Sequence, residues 1–140
     1  MEKVAFALDM DGDWPTVATE HVWCDRTGTL YELGNVPFFI KGLALGDRFS
    51  AVPDPVKGCI FEFSLVEASG HSLAWIVEPD GLALEPYKEE MLSLSLGIEV
   101  FPRFQLHAFD VPATADAQAV NALMDRLEVG FAMAFPVWRH

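Results

Sequence analysis

The stretch EPYKEEMLSLSLGIEV, residues 85–100, decides the fold of this chain, because the periodicity of the sequence changes there from strand to helix and back. Pro86 stands at a favourable first helical position, and Gly97 stands where a helix can end in the left-handed conformation. Between them, three apolar residues fall on one stripe at helical spacing: Met91, Leu92 and Leu96. The stretch therefore predicts a helix over 87–96, followed by a strand over 98–101.

The elements around this helix predict a ferredoxin-like second half. Thr114 is the predicted helix cap, with Asp116 in the first turn, and helical spacing continues until Gly130. Pro136 interrupts the final strand and predicts an edge position for it. The predicted order is strand, helix, strand, strand, helix, strand, over 72–78, 87–96, 98–101, 104–111, 114–130 and 131–138. This is the split βαβ order, in which two helices cover one face of a four-stranded antiparallel sheet.

The first half of the sequence predicts strands only. Apolar and other residues alternate with period two near the N-terminus, and short strands follow between turns, over 4–10, 30–33, 48–52 and 59–66. A glycine-punctuated loop, 34–47, is expected to lie over a small barrel. The predicted fold class is α+β, with a β-rich, barrel-like half over 1–68 and a ferredoxin-like half over 69–140. Because no linker separates the halves, one compact unit is the alternative.

Composition restricts the possible partners. The 140 residues are 51% hydrophobic and carry a formal net charge of -12, from 21 acids against 9 lysines and arginines. The scattered bases argue against nucleic acid and anionic membrane surfaces, whereas an acidic surface suits solubility or attraction to a basic protein. We expect a cytoplasmic protein without a cofactor, since the sequence has neither an apolar run of about 20 residues nor a secretory leader nor a cofactor motif.

The segment 9–20, DMDGDWPTVATE, has the ligand spacing of a calcium loop. Four acids stand at positions one, three, five and twelve of a twelve-residue frame: Asp9, Asp11, Asp13 and Glu20. However, Trp14 occupies the sixth position, where such loops need glycine, and both flanks alternate as strands do. We therefore expect a hairpin-like connection, with calcium binding as a disfavoured alternative.

His71, in the sequence SGHS, is the polar residue most suggestive of chemistry, because histidine titrates near neutrality and Ser72 follows it. No nucleophile, base and orienting group occur at a recognisable spacing, so a histidine whose ring bonds the backbone at the junction of the halves is favoured. The alternative is a small-substrate enzyme that uses His71, with Glu20 or Asp47 as the orienting carboxylate.

Asn35 and the phenylalanine after it in NVPFF form a second candidate region. A loop asparagine usually satisfies backbone groups, yet Asn35 beside Phe38 can also line a pocket. The predicted binding residues are Glu20, Trp23, Asn35, Phe38, Asp47, His71 and Ser72.

Four short motifs resemble a family of small bacterial proteins. They are Glu20-His21-Val22-Trp23, Asn35-Val36-Pro37-Phe38-Phe39 with Gly46-Asp47, Ser69-Gly70-His71-Ser72, and Phe109-Asp110-Val111-Pro112. As a set they resemble domain of unknown function 4265, from about residue 20 to residue 135. The resemblance implies a small soluble protein with no established activity and no catalytic residues to carry over.

These observations favour a non-catalytic binding or regulatory module over an enzyme. Its partner is a small ligand or a basic protein, and one particular form is an immunity-type inhibitor that covers a basic toxin or nuclease. The enzyme based on His71 and the calcium loop are the alternatives.

Overall fold

The computed structural model describes residues 1–8, 18–77 and 83–140. The chain divides into two compact units, unit 1 over Met1–Ser69 and unit 2 over Gly70–His140. Each unit has an antiparallel sheet, and the two α-helices of the described residues lie in unit 2, so the predicted α+β class is confirmed.

Unit 1 is a five-stranded sheet in sequence order. Its strands are β1 (Glu2–Ala7), β2 (Thr19–Thr27), β3 (Leu30–Leu33), β4 (Arg48–Ala51) and β5 (Phe63–Glu67), and each pairs antiparallel with the next. The predicted barrel is not closed. β1 approaches the segment before β5 through a single parallel bridge between Phe6 and Ile60, and this bridge does not extend into a ladder.

Alternation on β2 explains why this sheet forms. Glu20, Val22 and Cys24 are buried, whereas the residues between them are exposed, as a strand with one inward face requires. An aromatic cluster fills the inside of unit 1, where Tyr31 stacks on Phe49 with ring centroids 5.2 Å apart. The core therefore lies on the face that receives the loop 34–47, which contributes Ile40 and Leu43 to it.

Unit 2 is a four-stranded antiparallel sheet with the order β7-β8-β6-β9. Its elements are β6 (Ser72–Val77), α1 (Lys88–Ser93), β7 (Gly97–Phe101), β8 (Leu106–Val111), α2 (Ala117–Gly130) and β9 (Ala132–Val137). Pro136 lies in β9 at the edge of the sheet, as predicted. Neither α1 nor α2 is long and apolar enough to cross a membrane, and the described residues contain no other helix that could do so.

The predicted helix at 87–96 is shorter in the structure. A 3₁₀ turn over Glu85–Tyr87 precedes α1, and the helix ends at Ser93. Gly97 does not cap it, because Ser95 takes the left-handed conformation with a φ of 60° and Gly97 already begins β7. The stripe was also partly wrong, since Met91 is buried but Leu92 is exposed.

In unit 1, the strands predicted over 4–10 and 59–66 are instead Glu2–Ala7 and Phe63–Glu67. In unit 2, two boundaries differ from the prediction for local reasons. Asp116, not Thr114, caps α2, because its carboxylate accepts the amides of Gln118 and Ala119. The strand expected over 104–111 begins only at Leu106, after a 3₁₀ turn over Pro102–Phe104.

Candidate functional site

The side chain of Glu20 binds backbone amides of the loop 34–47 in unit 1. Its Oε2 accepts the Phe38 amide at 2.6 Å, and its Oε1 accepts the amides of Phe39 and Ile40 at 2.8 and 3.0 Å. Burial raises the pKa of Glu20 above its ordinary value, although the three amide hydrogen bonds act in the opposite direction. The carboxylate is thus occupied on both oxygens by its own unit.

Asp47 closes the same loop at its other end. This side chain is fully buried, and it accepts the Ala44 amide at 2.9 Å on Oδ2 and the Ser69 amide at 2.8 Å on Oδ1. The Ser69 hydroxyl donates in turn to the Leu45 carbonyl at 2.7 Å. Asp47 therefore joins the end of the loop to the residue that ends unit 1.

Asn35 fastens the beginning of the loop. Its Oδ1 accepts the backbone amide of Trp23 at 2.6 Å, and the neighbouring Gly34 amide donates to the Trp23 carbonyl at 2.7 Å. The Trp23 indole itself is exposed on β2. The predicted binding residues Glu20, Asn35 and Asp47 thus come together as the fastenings of one loop, with Trp23 and Phe38 contributing backbone amides.

His71 pairs with a carboxylate that the sequence analysis did not select. Its Nδ1 lies 2.8 Å from Oδ1 of Asp110, on β8. Burial raises the pKa of Asp110, whereas the hydrogen bond and the charge of His71 act to lower it. Glu20 and Asp47, the carboxylates that the sequence offered as orienting groups for His71, accept backbone amides within unit 1.

Ser72 belongs to a second network in unit 2. Its Oγ lies 2.6 Å from Nδ1 of His140 and accepts the Arg139 amide at 2.7 Å. Nε2 of His140 lies 2.8 Å from the Pro112 carbonyl, which can only accept, so this nitrogen carries the proton. In the neutral form of the ring, Nδ1 accepts the Ser72 hydroxyl.

Hydroxyl, imidazole and acceptor follow each other here in the order of a nucleophile, its base and an orienting group. However, Ser72 has no exposed surface, so a substrate cannot reach its Oγ. Cys24 is no alternative nucleophile, because burial, assisted by the charges of Glu2 and Asp25, raises the pKa of its thiol to about 12. The network stabilises the start of β6 and is not arranged for attack.

Asp110 and His140 were missed by the sequence analysis for different reasons. Asp110 is the acid of the strand LHAFDV, where it stands between the apolar residues Phe109 and Val111, and this interruption is the signal that could have identified it. His140 meets Ser72 across 68 positions of sequence, and no local pattern indicates such a contact.

The hairpin-like connection expected over 9–20 and its disfavoured alternative, a calcium loop, fall mainly outside the described residues, since Asp9, Asp11 and Asp13 lie within 9–17. The carboxylate of Glu20, the fourth acid of the calcium-loop frame, accepts hydrogen bonds from three backbone amides. In the described ranges, no group of three or more His, Cys, Asp or Glu side chains is placed to hold a metal ion.

Two hollows lie beside β5 in unit 1. The smaller is a cavity of about 70 Å³ lined mainly by aromatic and aliphatic side chains, namely Phe6, Ala7, Leu8, Phe39, Ile40, Lys41, Phe61 and Phe63. The larger is an open groove of about 840 Å³, which shares Lys41, Phe61 and Phe63 with the cavity. The groove and the cavity are therefore adjacent at these three residues.

The family described as Domain of unknown function (DUF4265) matches residues 20–133 of the sequence. The chain belongs to this family. The match includes the loop fastenings Glu20, Asn35 and Asp47 and the pair His71 and Asp110. No curated protein matches the chain.

A crystal structure of a hypothetical protein from Neisseria gonorrhoeae is similar to this DUF4265 member over its whole length. The TM-score is 0.79 at 15% sequence identity, with 100% of this chain and 98% of the other covered. At that identity the likeness establishes a shared fold.

Proposed function

We propose that the chain is a non-catalytic binding module whose partner is a basic protein. The observation that carries this proposal is that the polar candidate residues serve the fold. Glu20 and Asp47 accept backbone amides, and Ser72 is fully buried. A catalytic group must reach its substrate, and these groups reach their own backbone.

A protein partner has more support than a small ligand. Pockets for small molecules usually measure about 300–1,000 Å³ and enclose most of the ligand. The cavity of unit 1, at about 70 Å³, has room for one side chain, and the larger hollow is an open groove. Groove and cavity together suit an extended segment that places a side chain in the cavity.

The basic character of the partner follows from charge. A net charge of -12 attracts a basic protein over long range and repels acidic ones. An immunity-type inhibitor of a basic toxin or nuclease is the narrower form of this proposal, because such an inhibitor needs the same acidic surface.

A salt-dependent pull-down tests the proposal. The full chain is immobilised and exposed to a lysate of its source organism at about 0.1 M and about 1 M salt, where the screening length falls from about 10 Å to about 3 Å. We expect one basic protein, identified by mass spectrometry, to be retained at low salt only. Retention of no basic protein, or equal retention at both salt concentrations, contradicts the proposal.

The pair of His71 and Asp110 supports a second candidate function, a small-substrate enzyme with His71 as general base. An imidazole held at 2.8 Å by a buried carboxylate is the geometry that such a base requires. Hydrolysis of p-nitrophenyl acetate at neutral pH separates the candidates. The enzyme predicts a saturable rate that His71→Gln abolishes, whereas the binding module predicts the same rate for both proteins.

For unit 2 we also propose a ferredoxin-like layout. The order β7-β8-β6-β9 supports it, because β8 lies between β6 and β7, which are joined through α1. The shared core of α1, α2 and the sheet, with Met91, Leu123 and Phe109 all buried, supports it as well.

A further inference from the structure

The open edge of unit 1 lies where β1 and the segment leading into β5 separate. Ile60 donates to the Ala5 carbonyl and accepts the Ala7 amide, both at 2.8 Å. A parallel ladder would continue with a bond from the Glu62 amide to the Ala7 carbonyl, but no such bond is formed among the described residues. The gap beyond Ile60 opens onto the cavity of about 70 Å³.

β5 continues this edge as the last strand of its sheet. It pairs only with β4 among the described strands, so no described strand lies beside the backbone groups of its other edge. The regular part of the edge ends at Val66. Leu65 pairs with Phe49, and the next pair joins Glu67 to Arg48, so the register shifts at Val66.

The two faces of this edge differ in chemistry. Phe63 and Leu65 lie opposite Ala51 and Phe49, on the core side, yet Leu65 is 46% exposed. Phe61, two residues before Phe63, is 53% exposed and lines both the cavity and the groove. An exposed apolar row therefore follows the core side of the edge and leads to the cavity.

The other face carries negative charge. Glu62 points away from the core side, since its neighbour Phe63 packs against the core, and no cation pairs with Glu62 among the described residues. Glu67 is exposed and shares Arg48 with Glu32. In the groove, Lys41 and Asp54 offset each other in charge. A strand laid beside this edge thus meets apolar side chains on one face and acids on the other.

A second copy of the chain does not suit this edge. Antiparallel self-pairing about Ser64 would place Glu62 opposite Val66 and supply no cation to either strand. Each copy also carries a net charge of -12, which opposes association. Charge complementarity favours a basic occupant.

We propose that the edge over residues 61–65 binds an extended segment of a basic protein by strand addition. Its apolar side chains lie along Phe61, Phe63 and Leu65, one of them entering the cavity, and its alternate lysines or arginines lie over Glu62. This inference rests on the proposed function, because it names the surface through which the module would bind.

A peptide titration of the full chain tests the inference. The probe is the heptapeptide KVKFKVK, acetylated and amidated, added to isotope-labelled protein and followed by amide chemical shifts. We expect saturable shifts at Glu62, Phe63, Ser64 and Leu65. Leu65→Lys should weaken binding at least tenfold, and Glu62→Gln about two- to fivefold, the range for one opposite-charge pair. The acidic peptide EVEFEVE should not bind.

Val100→Lys is the matched control, because Val100 is 47% exposed on β7, an edge strand of unit 2. This variant should bind the peptide within twofold of wild type. The inference is overturned if KVKFKVK causes no saturable shifts, shifts residues elsewhere, or binds Leu65→Lys as tightly as wild type. Sedimentation of the protein alone overturns it as well, if the chain dimerises and Leu65→Lys abolishes the dimer.

The two proposals can fail separately. If a basic protein is retained at low salt by wild type and Leu65→Lys alike, the binding module stands and the β5 edge is not its surface. If the peptide binds the edge as expected but the lysate yields no basic protein, the edge site stands and the proposed function fails.

Discussion

Glu20 and Asp47 in unit 1 and Asp110 in unit 2 are buried carboxylates, but their hydrogen bonds come from different groups. The two acids of unit 1 accept five backbone amides between them, and backbone amides do not titrate. Asp110 instead lies 2.8 Å from Nδ1 of the His71 imidazole, a side chain of its own unit. The comparison indicates that unit 1 uses its acids to fix one backbone path, whereas Asp110 in unit 2 fixes the position of a side chain.

Burial has the same electrostatic effect in both units. It raises the pKa of Glu20 and of Asp110, so each carboxyl binds its proton more tightly in the folded chain than in the unfolded one. Stability from these groups therefore falls as pH rises from the unfolded pKa, about 4, through the folded pKa. Hydrogen bonds reduce this effect in both cases without reversing it.

The largest effect is expected from Asp47→Ala. The substitution leaves the amides of Ala44 and Ser69 without their acceptor in a fully buried site, and each orphaned donor costs about 1–3 kcal/mol. We expect urea unfolding to show a loss of about 2–4 kcal/mol. Asp54→Ala is the control, since Asp54 also accepts two amides but at an exposed turn. It should cost about 1 kcal/mol or less, and equal losses for both variants would contradict the account of the loop.

An intermediate effect is expected from Asp110→Asn, and it depends on pH. The amide oxygen can still accept from His71, but the side chain no longer titrates. The fall in wild-type stability as pH rises above about 4 should therefore become shallower in the variant. Urea unfolding at several pH values between about 4 and 6 measures this slope. Asp125→Asn, at an exposed position on α2, should keep the wild-type slope. A steeper slope in Asp110→Asn would contradict the sign of the pKa shift.

The smallest effect is expected from Tyr31→Phe in unit 1. The Tyr31 hydroxyl is buried and has no hydrogen-bond partner among the described residues, in contrast to the carboxylates of the same unit. Removing it keeps the ring stacked on Phe49 and relieves an unpaired polar group, so the free energy of unfolding should rise by up to about 1 kcal/mol. A clear rise in thermal stability checks this, and a loss would indicate a bound water at the hydroxyl.

Local patterns in the sequence predicted the elements better than their ends. Alternation of apolar and polar residues identified strands such as β2, and apolar residues at helical spacing identified α2, because each pattern repeats within a few residues. Ser95 and Gln105, which take positive φ values without being glycine, shifted the boundaries near α1 and β8. Glycine is the signal that sequence analysis uses at such positions, and here the chain uses other residues.

The candidate site was predictable as a set of residues but not as a set of contacts. Glu20 meets its amides 18 to 20 positions away, and His71 meets Asp110 39 positions away. Side-chain identity indicated that these residues matter, while their partners depend on how the strands and the loop are placed. The position of Glu20 in a calcium-loop frame suggested a metal ligand, whereas in the structure its carboxylate accepts backbone amides.

The central claim is that Glu20, Asn35 and Asp47 hold the backbone of loop 34–47. Amide hydrogen exchange in Glu20→Gln tests it most directly. The variant keeps one acceptor oxygen but places a donor near the Phe38 amide. The account predicts that the amides of Phe38, Phe39 and Ile40 are protected in wild type and exchange at least tenfold faster in the variant, beyond any change in core amides such as Ile76. Glu32→Gln, at an exposed acid on β3, should leave them unchanged. Unprotected amides in wild type, or equal protection in Glu20→Gln, would contradict the claim.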